Sequence, residues 1–215
     1  MAYSGHMIVT VGNAKGGVGK TTLAVALAEA GAKQWGSALV VDTDGAQLSA
    51  MRWHELAGPG AMRAVPLALP TTDLARGLTA TTAASSPLVV IDTGPGRLDV
   101  LRAALEVADA AAVPLRPAVA DVDRAWLTLD LARQANTPAV AVLTMGRPRT
   151  VALGAAQAAL REAHVAVAST LFPSREAIGR NFGEPVTEPL ASLAGSLLDE
   201  LARTVRRTHG RQATA

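Results

Sequence analysis

Met7-Ile-Val-Thr-Val-Gly-Asn-Ala-Lys-Gly-Gly-Val-Gly-Lys-Thr-Thr22 decides how this chain is read. Met7–Val11 is apolar or β-branched throughout and predicts a buried strand. From Lys20 an Ala/Leu pattern predicts a helix to Gln34. A glycine-rich turn between a strand and a helix N-terminus points several backbone N–H groups inward. With the helix dipole these make a cradle for phosphate. Gly16, Gly17 and Gly19, with Val18 among them, let the backbone approach without a Cβ in the way. Lys20 is placed to reach β- and γ-phosphates, Thr21 to ligate Mg²⁺ through its hydroxyl, and Thr22 to complete the cradle. The bland alternative is a glycine turn with no ligand. Glycines, lysine and threonine at the required spacing after a strand argue against it.

Outward from the loop, short apolar runs alternate with Ala/Leu helical stretches. This predicts repeated βα units: an α/β fold with a mostly parallel twisted sheet flanked by helices. Strands are expected at Met7–Val11, Ala38–Val41, Arg63–Leu67, Pro87–Ile91, Ala110–Val113, Pro138–Leu143 and His164–Ala168. Helices are expected at Lys20–Gln34, Gln47–Leu56, Thr72–Ala84, Arg97–Ala108, Val122–Gln134, Val151–Ala163 and Pro189–Thr208. Residues 7–208 read as one domain, residues 1–6 as a cloning remnant and 209–215 as a frayed tail.

Composition narrows the classes. With 49% hydrophobic and 18% charged residues the chain can bury a core and is not disordered. Without cysteine there is no disulfide framework, cysteine nucleophile or self-ligated iron–sulfur cluster. No run of eighteen apolar residues and no signal peptide is found, so no integral membrane association is expected. A net charge of +2 says little about nucleic acid by its total. The basic residues are 17 Arg and 3 Lys, and two of the lysines, Lys15 and Lys20, share the glycine loop. His54, His164 and His209 lack metal-ligand spacing.

Two further runs end in carboxylates. Val40-Val41-Asp42-Thr43-Asp44 closes the second strand, and strand carboxyl ends face the ligand crevice of an open α/β sheet. Asp44 reads either as a site residue or as a cap for the next helix. Leu88-Val89-Val90-Ile91-Asp92 is the Walker B arrangement, in which Asp92 holds Mg²⁺ directly or through water. Thr93-Gly94-Pro95-Gly96 beyond it reads as a switch segment near the γ-phosphate.

Lys15-Gly-Gly-Val-Gly-Lys-Thr-Thr22 resembles the deviant Walker A box of the ParA/MinD ATPases, with Ala14 where an ordinary P-loop has glycine. Ala108–Pro117 followed by Asp121 resembles the small ParF-like partition ATPases. Ser174-Arg175-Glu176 and Gly183–Glu188 fit the same pattern, so the resemblance spans roughly residues 7–205. It implies a P-loop NTPase fold of the SIMIBI, deviant Walker A type, with ATP and Mg²⁺ as cofactors. It also implies an ATP-sandwich homodimer in which Lys15 crosses to the partner's phosphates. By the same resemblance Asp44 acts near the attacking water and the metal, with Asp42 in support. The usual Asp-Pro-Gln continuation is here Asp44-Gly45-Ala46-Gln47. Asp121 reads either as a residue by the nucleotide and dimer face or as a helix cap. No Asn follows the sixth strand to read a base.

Arg175, Arg180, Arg203, Arg206, Arg207 and Arg211 concentrate basic charge towards the C-terminus. They read either as a surface for non-specific DNA or as a solvated helix end. Leu190, Leu193, Leu197, Leu198, Leu201 and Val205 recur at helical spacing and predict a core-facing stripe, the sharper alternative being a MinD-like membrane-targeting helix. Trp53 reads as packing. The resemblance implies a cytoplasmic, nucleoid-associated ATPase that partitions or positions cargo and is stimulated by a small ParB-like adaptor. A MinD-type membrane switch and an ATP-dependent ligase are the rivals, and Lys15 speaks against the ligase.

Overall fold

The computed structural model describes residues 6–173 and 182–212. β1 (Met7–Val11) leads into α1 (Lys20–Trp35), β2 (Leu39–Asp42) into α2 (Ser49–Ala57) and β3 (Val65–Ala68) into α3 (Leu74–Thr79). β4 (Leu88–Asp92) leads into α4 (Leu98–Glu106), β5 (Ala110–Leu115) into α5 (Val119–Gln134) and β6 (Ala139–Gly146) into α6 (Val151–Glu162). Two short strands, β7 (Ala166–Val167) and β8 (Phe172–Pro173), precede α7 (Leu190–Gln212). The sheet is parallel, in the order β3-β2-β4-β1-β5-β6-β7, with β8 paired to the end of β6.

The central strands are buried along their length but for a partly buried Ile8, as parallel strands covered on both faces must be. Alanine lets α1 sit close to the sheet: Ala24, Ala26, Ala28, Ala30 and Ala32 are all buried. At Gly31 a Cβ would come within 2.2 Å of Leu88 Cδ2, so even alanine would force the Leu88 side chain to shift. α7 covers α1 from outside, and Leu190, Leu197, Leu198, Leu201 and Val205 are buried with Leu193 packed at the edge. The apolar stripe is therefore spent in the core, as the helical spacing predicts.

Four expectations need correction. The helix expected over Thr72–Ala84 is broken into α3 and a 3-10 turn at Thr82–Ser85. The Thr81 hydroxyl accepts the Ala83 N–H and starts the second piece, the kind of local side-chain competition that makes threonine a poor helix interior. α5 begins at Val119 rather than Val122, with Ala118 as its N-cap, so Asp121 lies inside the first turn and is not the cap. Pro114 does not end β5 but lies within it, and its carbonyl accepts from the Asn13 side chain. α7 runs to Gln212, past the point where a frayed tail was expected.

One carboxylate ties α7 to the far edge of the sheet. Glu200 accepts from Ser169 N (2.9 Å), Ser169 Oγ (2.5 Å), Thr170 N (3.2 Å) and Thr170 Oγ1 (2.8 Å). Partial burial pushes its acidity one way, but these donors outweigh it and hold the group below the usual glutamate range. A depressed value contributes stability above the unfolded pKa and loses it as pH falls through the folded one. Glu200→Ala is expected to cost on the order of 1–2 kcal/mol at pH 7, allowing for solvent screening. The cost should shrink below pH 4. Thermal melts of both proteins at pH 7 and at about pH 3 check this, and an equal difference at the two pH values would refute it.

Candidate functional site

The glycine turn wraps the N-terminus of α1. Gly17 (φ 70°) and Gly19 (φ 88°) take left-handed conformations that no other residue type adopts at ease. Neighbouring elements hold the turn in shape. Thr144 Oγ1 donates to the Val18 carbonyl (2.9 Å), and the Ala14 N–H donates to Thr128 Oγ1 (3.2 Å). Lys20 is buried, and its Nζ donates to the Lys15 carbonyl (2.7 Å) across the mouth of the turn. Burial lowers its pKa, while Asp92 and then Asp44 raise it.

Strand register brings the carboxylates to this turn. β1 and β4 are neighbours with Val11 opposite Asp92, and β2 adjoins β4 with Asp42 opposite Asp92. Asp42 is fully buried. It accepts Asp44 N on Oδ1 (3.0 Å), and Ala50 N (2.8 Å) and Met51 N (3.3 Å) on Oδ2, so it anchors the first turn of α2. Burial pushes its carboxyl up against those donors. The next helix, α2, has Leu48 as its N-cap, so Asp44 does not cap it. Asp44 Oδ1 accepts Ala46 N (3.1 Å) and Gln47 N (3.2 Å) to close the turn, and its side chain lines the crevice. Gly94 makes room for it, since a Cβ there would lie 2.8 Å from Asp44 Cγ.

Asp92 is the most perturbed group of the crevice. It is 3% exposed, and among the described residues its Oδ1 has no hydrogen-bond partner. Burial raises its pKa to about 7; the Thr21 hydroxyl and the Lys20 charge oppose this, and Asp42 and Asp44 reinforce it. A buried carboxylate with an unpaired oxygen beside a threonine hydroxyl fits a hard divalent cation. Among the described residues no three His, Asp or Glu side chains converge as a metal cluster. A cation here would thus take its remaining oxygens from phosphate and water.

A cavity of about 350 Å³ joins these parts. It brings together Gly16, Gly17, Gly19, Lys20, Thr21 and Thr22 with Asp44 and Asp92. Val18 does not line it, and its side chain is buried. A larger groove of about 530 Å³ lies at the other end of α1, between Lys33 and Asp199. It has mixed charge but no strand end or glycine turn. Thr93, Gly94 and Pro95 of the expected switch segment line the 350 Å³ cavity, while sequence reading missed Phe182 and Ser49 in its wall. It also missed the roles of Asn13, which ties the turn to Pro114 101 residues away, and of Thr128 and Thr144, which hold the turn across 114 and 126 residues of sequence. Trp53, expected as packing, is buried; its Nε1 donates to Glu184 O (2.8 Å) and its ring tilts against Phe182 at 5.4 Å.

Lys15 and Asp121 stand outside the cavity wall, paired with each other. The Lys15 ammonium donates to Asp121 Oδ1, and Arg116 Nε donates to Asp121 Oδ2 (2.6 Å). Partial desolvation, then the charges of Arg116 and Arg124, lower the Lys15 pKa. Of the C-terminal arginines, Arg203, Arg206 and Arg207 are exposed on α7 opposite its buried stripe. Arg175 and Arg180 lie outside the described residues, as does the Arg211 side chain.

Parallel sheet, glycine turn with lysine and threonine, and a buried aspartate on the adjacent strand define a P-loop ATPase fold. The family model described as an AAA domain matches residues 6–56, which carry the loop. Among curated proteins none matches. The structure of MinD in the MinC:MinD cell division complex of Aquifex aeolicus matches with a TM-score of 0.73 at 16% identity, over 91% of this chain and 95% of that one. MinD of Pyrococcus furiosus matches at 0.70 and 18%, over 92% and 99%. A plasmid partition protein of Borrelia burgdorferi bound to AMPPNP matches at 0.68 and 17%, over 91% and 98%. The fold is that of the MinD and plasmid partition structures it matches. Among the described residues no helix is long and apolar enough to cross a membrane.

Proposed function

We propose that the chain is a ParA-type ATPase that partitions or positions DNA or another cargo, switching between monomer and ATP-bound sandwich dimer. One observation carries the reading: the two loop lysines point to different places. Lys20 lies buried in the cradle, whereas Lys15 lies outside its wall and is held on α5. A cation so placed serves a phosphate in another subunit more readily than its own. The rim of the crevice supports a second copy. Val119 and Val151 open α5 and α6 at 80% and 90% exposure, and Leu98 opens α4 half-exposed.

In this reading Lys20 and the backbone of Gly16–Thr22 bind the β- and γ-phosphates of ATP. Thr21 and Asp92 hold Mg²⁺, which when bound neutralises charge on the phosphates. Asp44 faces the attacking water from the switch turn, and Lys15 adds charge stabilisation from the partner. The exposed arginines of α7 supply non-specific DNA contacts, doubled in the dimer, and a small ParB-like adaptor stimulates hydrolysis. Burial of the α7 stripe speaks against a membrane-targeting role for that helix.

Size-exclusion chromatography with light scattering, in ADP and in a non-hydrolysable ATP analogue, tests the proposal. Wild type should dimerise with the analogue only, and Lys15→Ala should bind it yet stay monomeric. DNA affinity of the dimer should fall steeply with salt. Dimers of Lys15→Ala equal to wild type would defeat the sandwich, and a flat salt dependence would defeat the DNA contact.

A further inference from the structure

Asp121 sits at an unusual crossroads. Its side chain is 2% exposed, yet it holds two cations on separate oxygens, Lys15 on Oδ1 and Arg116 on Oδ2. Arg116 is not needed to neutralise Asp121 while Lys15 is in place. Its own side chain is 43% exposed, so it was free to face solvent instead. Arg124 adds a third positive charge against Lys15. The Lys15 ammonium is thus attracted by one carboxylate and repelled by two guanidiniums.

The backbone around Lys15 is fixed independently of its side chain. The Lys15 N–H donates to Asn13 Oδ1 (2.9 Å), and Asn13 Nδ2 donates to the Pro114 carbonyl (2.8 Å). The loop is therefore tied to β5 whether or not the ammonium stays on Asp121. Release of Lys15 needs only rotation of its own side chain. A buried carboxylate that loses its sole counter-ion is heavily penalised, and a second counter-ion already in place removes most of that penalty.

We propose that Asp121 is a holding site that keeps Lys15 in its own subunit until a second subunit brings a nucleoside triphosphate. Arg116 keeps Asp121 paired once Lys15 has left, which makes the hold releasable. Asp121 and Arg116 are positioning residues that act through Lys15 and need not touch nucleotide. The exchange rests on the dimer reading above, and deepens it by naming the groups that set its threshold.

Three lysines in the chain make lysine-selective NMR a direct probe, with each signal assigned by substitution. Without nucleotide, Asp121→Asn should shift the Lys15 side-chain signal and leave Lys33 unmoved. In dimers formed with the non-hydrolysable ATP analogue, the Lys15 signal should no longer respond to Asp121→Asn. Light scattering over a concentration series supplies the energetic readout. Asp121→Asn should lower the protein concentration needed for analogue-driven dimers. Arg116→Gln should raise it by roughly 5-fold to 150-fold, the usual span of a coupling between sites. The double variant Arg116→Gln/Asp121→Asn should return to the Asp121→Asn value, because no buried charge is then left to pair. Unchanged ADP binding by each monomer shows that the cradle is intact. Arg116→Gln dimers equal to wild type, no rescue in the double variant, or a Lys15 signal that still tracks Asp121 in the dimer each overturns the proposal. Wild-type protein that forms no dimer at all overturns the functional reading itself, and this proposal with it.

Discussion

Lys20→Ala is expected to abolish nucleotide binding under conditions where Lys15→Ala binds normally. Lys20 is 7% exposed, and its ammonium faces a crevice that already holds Asp44 and Asp92. Without it, a polyphosphate would enter beside two carboxylates with no buried cation to offset them. Removing one partner of a buried charge pair costs about 3–5 kcal/mol, a loss in Kd of at least ~100-fold. The Lys15 carbonyl, to which Nζ donates at 2.7 Å, would also lose its partner. Titration calorimetry with ADP and with the ATP analogue measures the difference. Affinity within threefold of wild type would remove Lys20 from the site.

Asp92→Asn is expected to act in opposite directions on stability and on function. The carboxyl is 3% exposed with one oxygen unpaired, and burial holds its pKa near 7. For an acid whose folded value lies above its unfolded one, the folded state binds the extra proton between the two. Stability from this group is therefore lost as pH rises from about 4 to about 7. A neutral amide removes that penalty, so metal-free Asp92→Asn should be more stable than wild type at pH 8 by roughly 1–3 kcal/mol. At pH 5 the gain should be smaller. The same change removes the anionic oxygen offered to Mg²⁺, so the increase in ATP affinity on adding Mg²⁺ should vanish. Melts at pH 5 and pH 8 and nucleotide titrations with and without Mg²⁺ check both halves. A variant less stable than wild type at pH 8, or one still responsive to Mg²⁺, would contradict the assignment.

The βα alternation and the position of every main strand were legible in the sequence, because a buried parallel strand needs a continuous apolar run and each run here is bounded by glycine or proline. The phosphate turn was legible for the same reason: its conformation depends on which of a few consecutive residues lack a Cβ. The break after α3 was not. It turns on whether Thr81 bonds to nearby backbone or joins a helix, a competition between local alternatives of similar energy. β8 was missed because two residues carry no periodicity.

The sequence by itself determined the cradle, the Asp-ended strands and the stripe that α7 buries, since each is written in residues a few positions apart. Tertiary structure decided which carboxylate does what. Asp42 and Asp44 are two residues apart, yet one is consumed in anchoring α2 while the other lines the crevice, a division set by how α2 folds back on β2. Strand order placed Asp92 beside the loop, because β1 and β4 adjoin although about 80 residues separate them. It also turned Lys15 towards Asp121, 106 residues away, and gave that carboxylate a second cation. Chain connectivity sets which side chains exist at a strand end; only the lateral order of the strands, fixed by packing of the whole sheet, sets which of them meet.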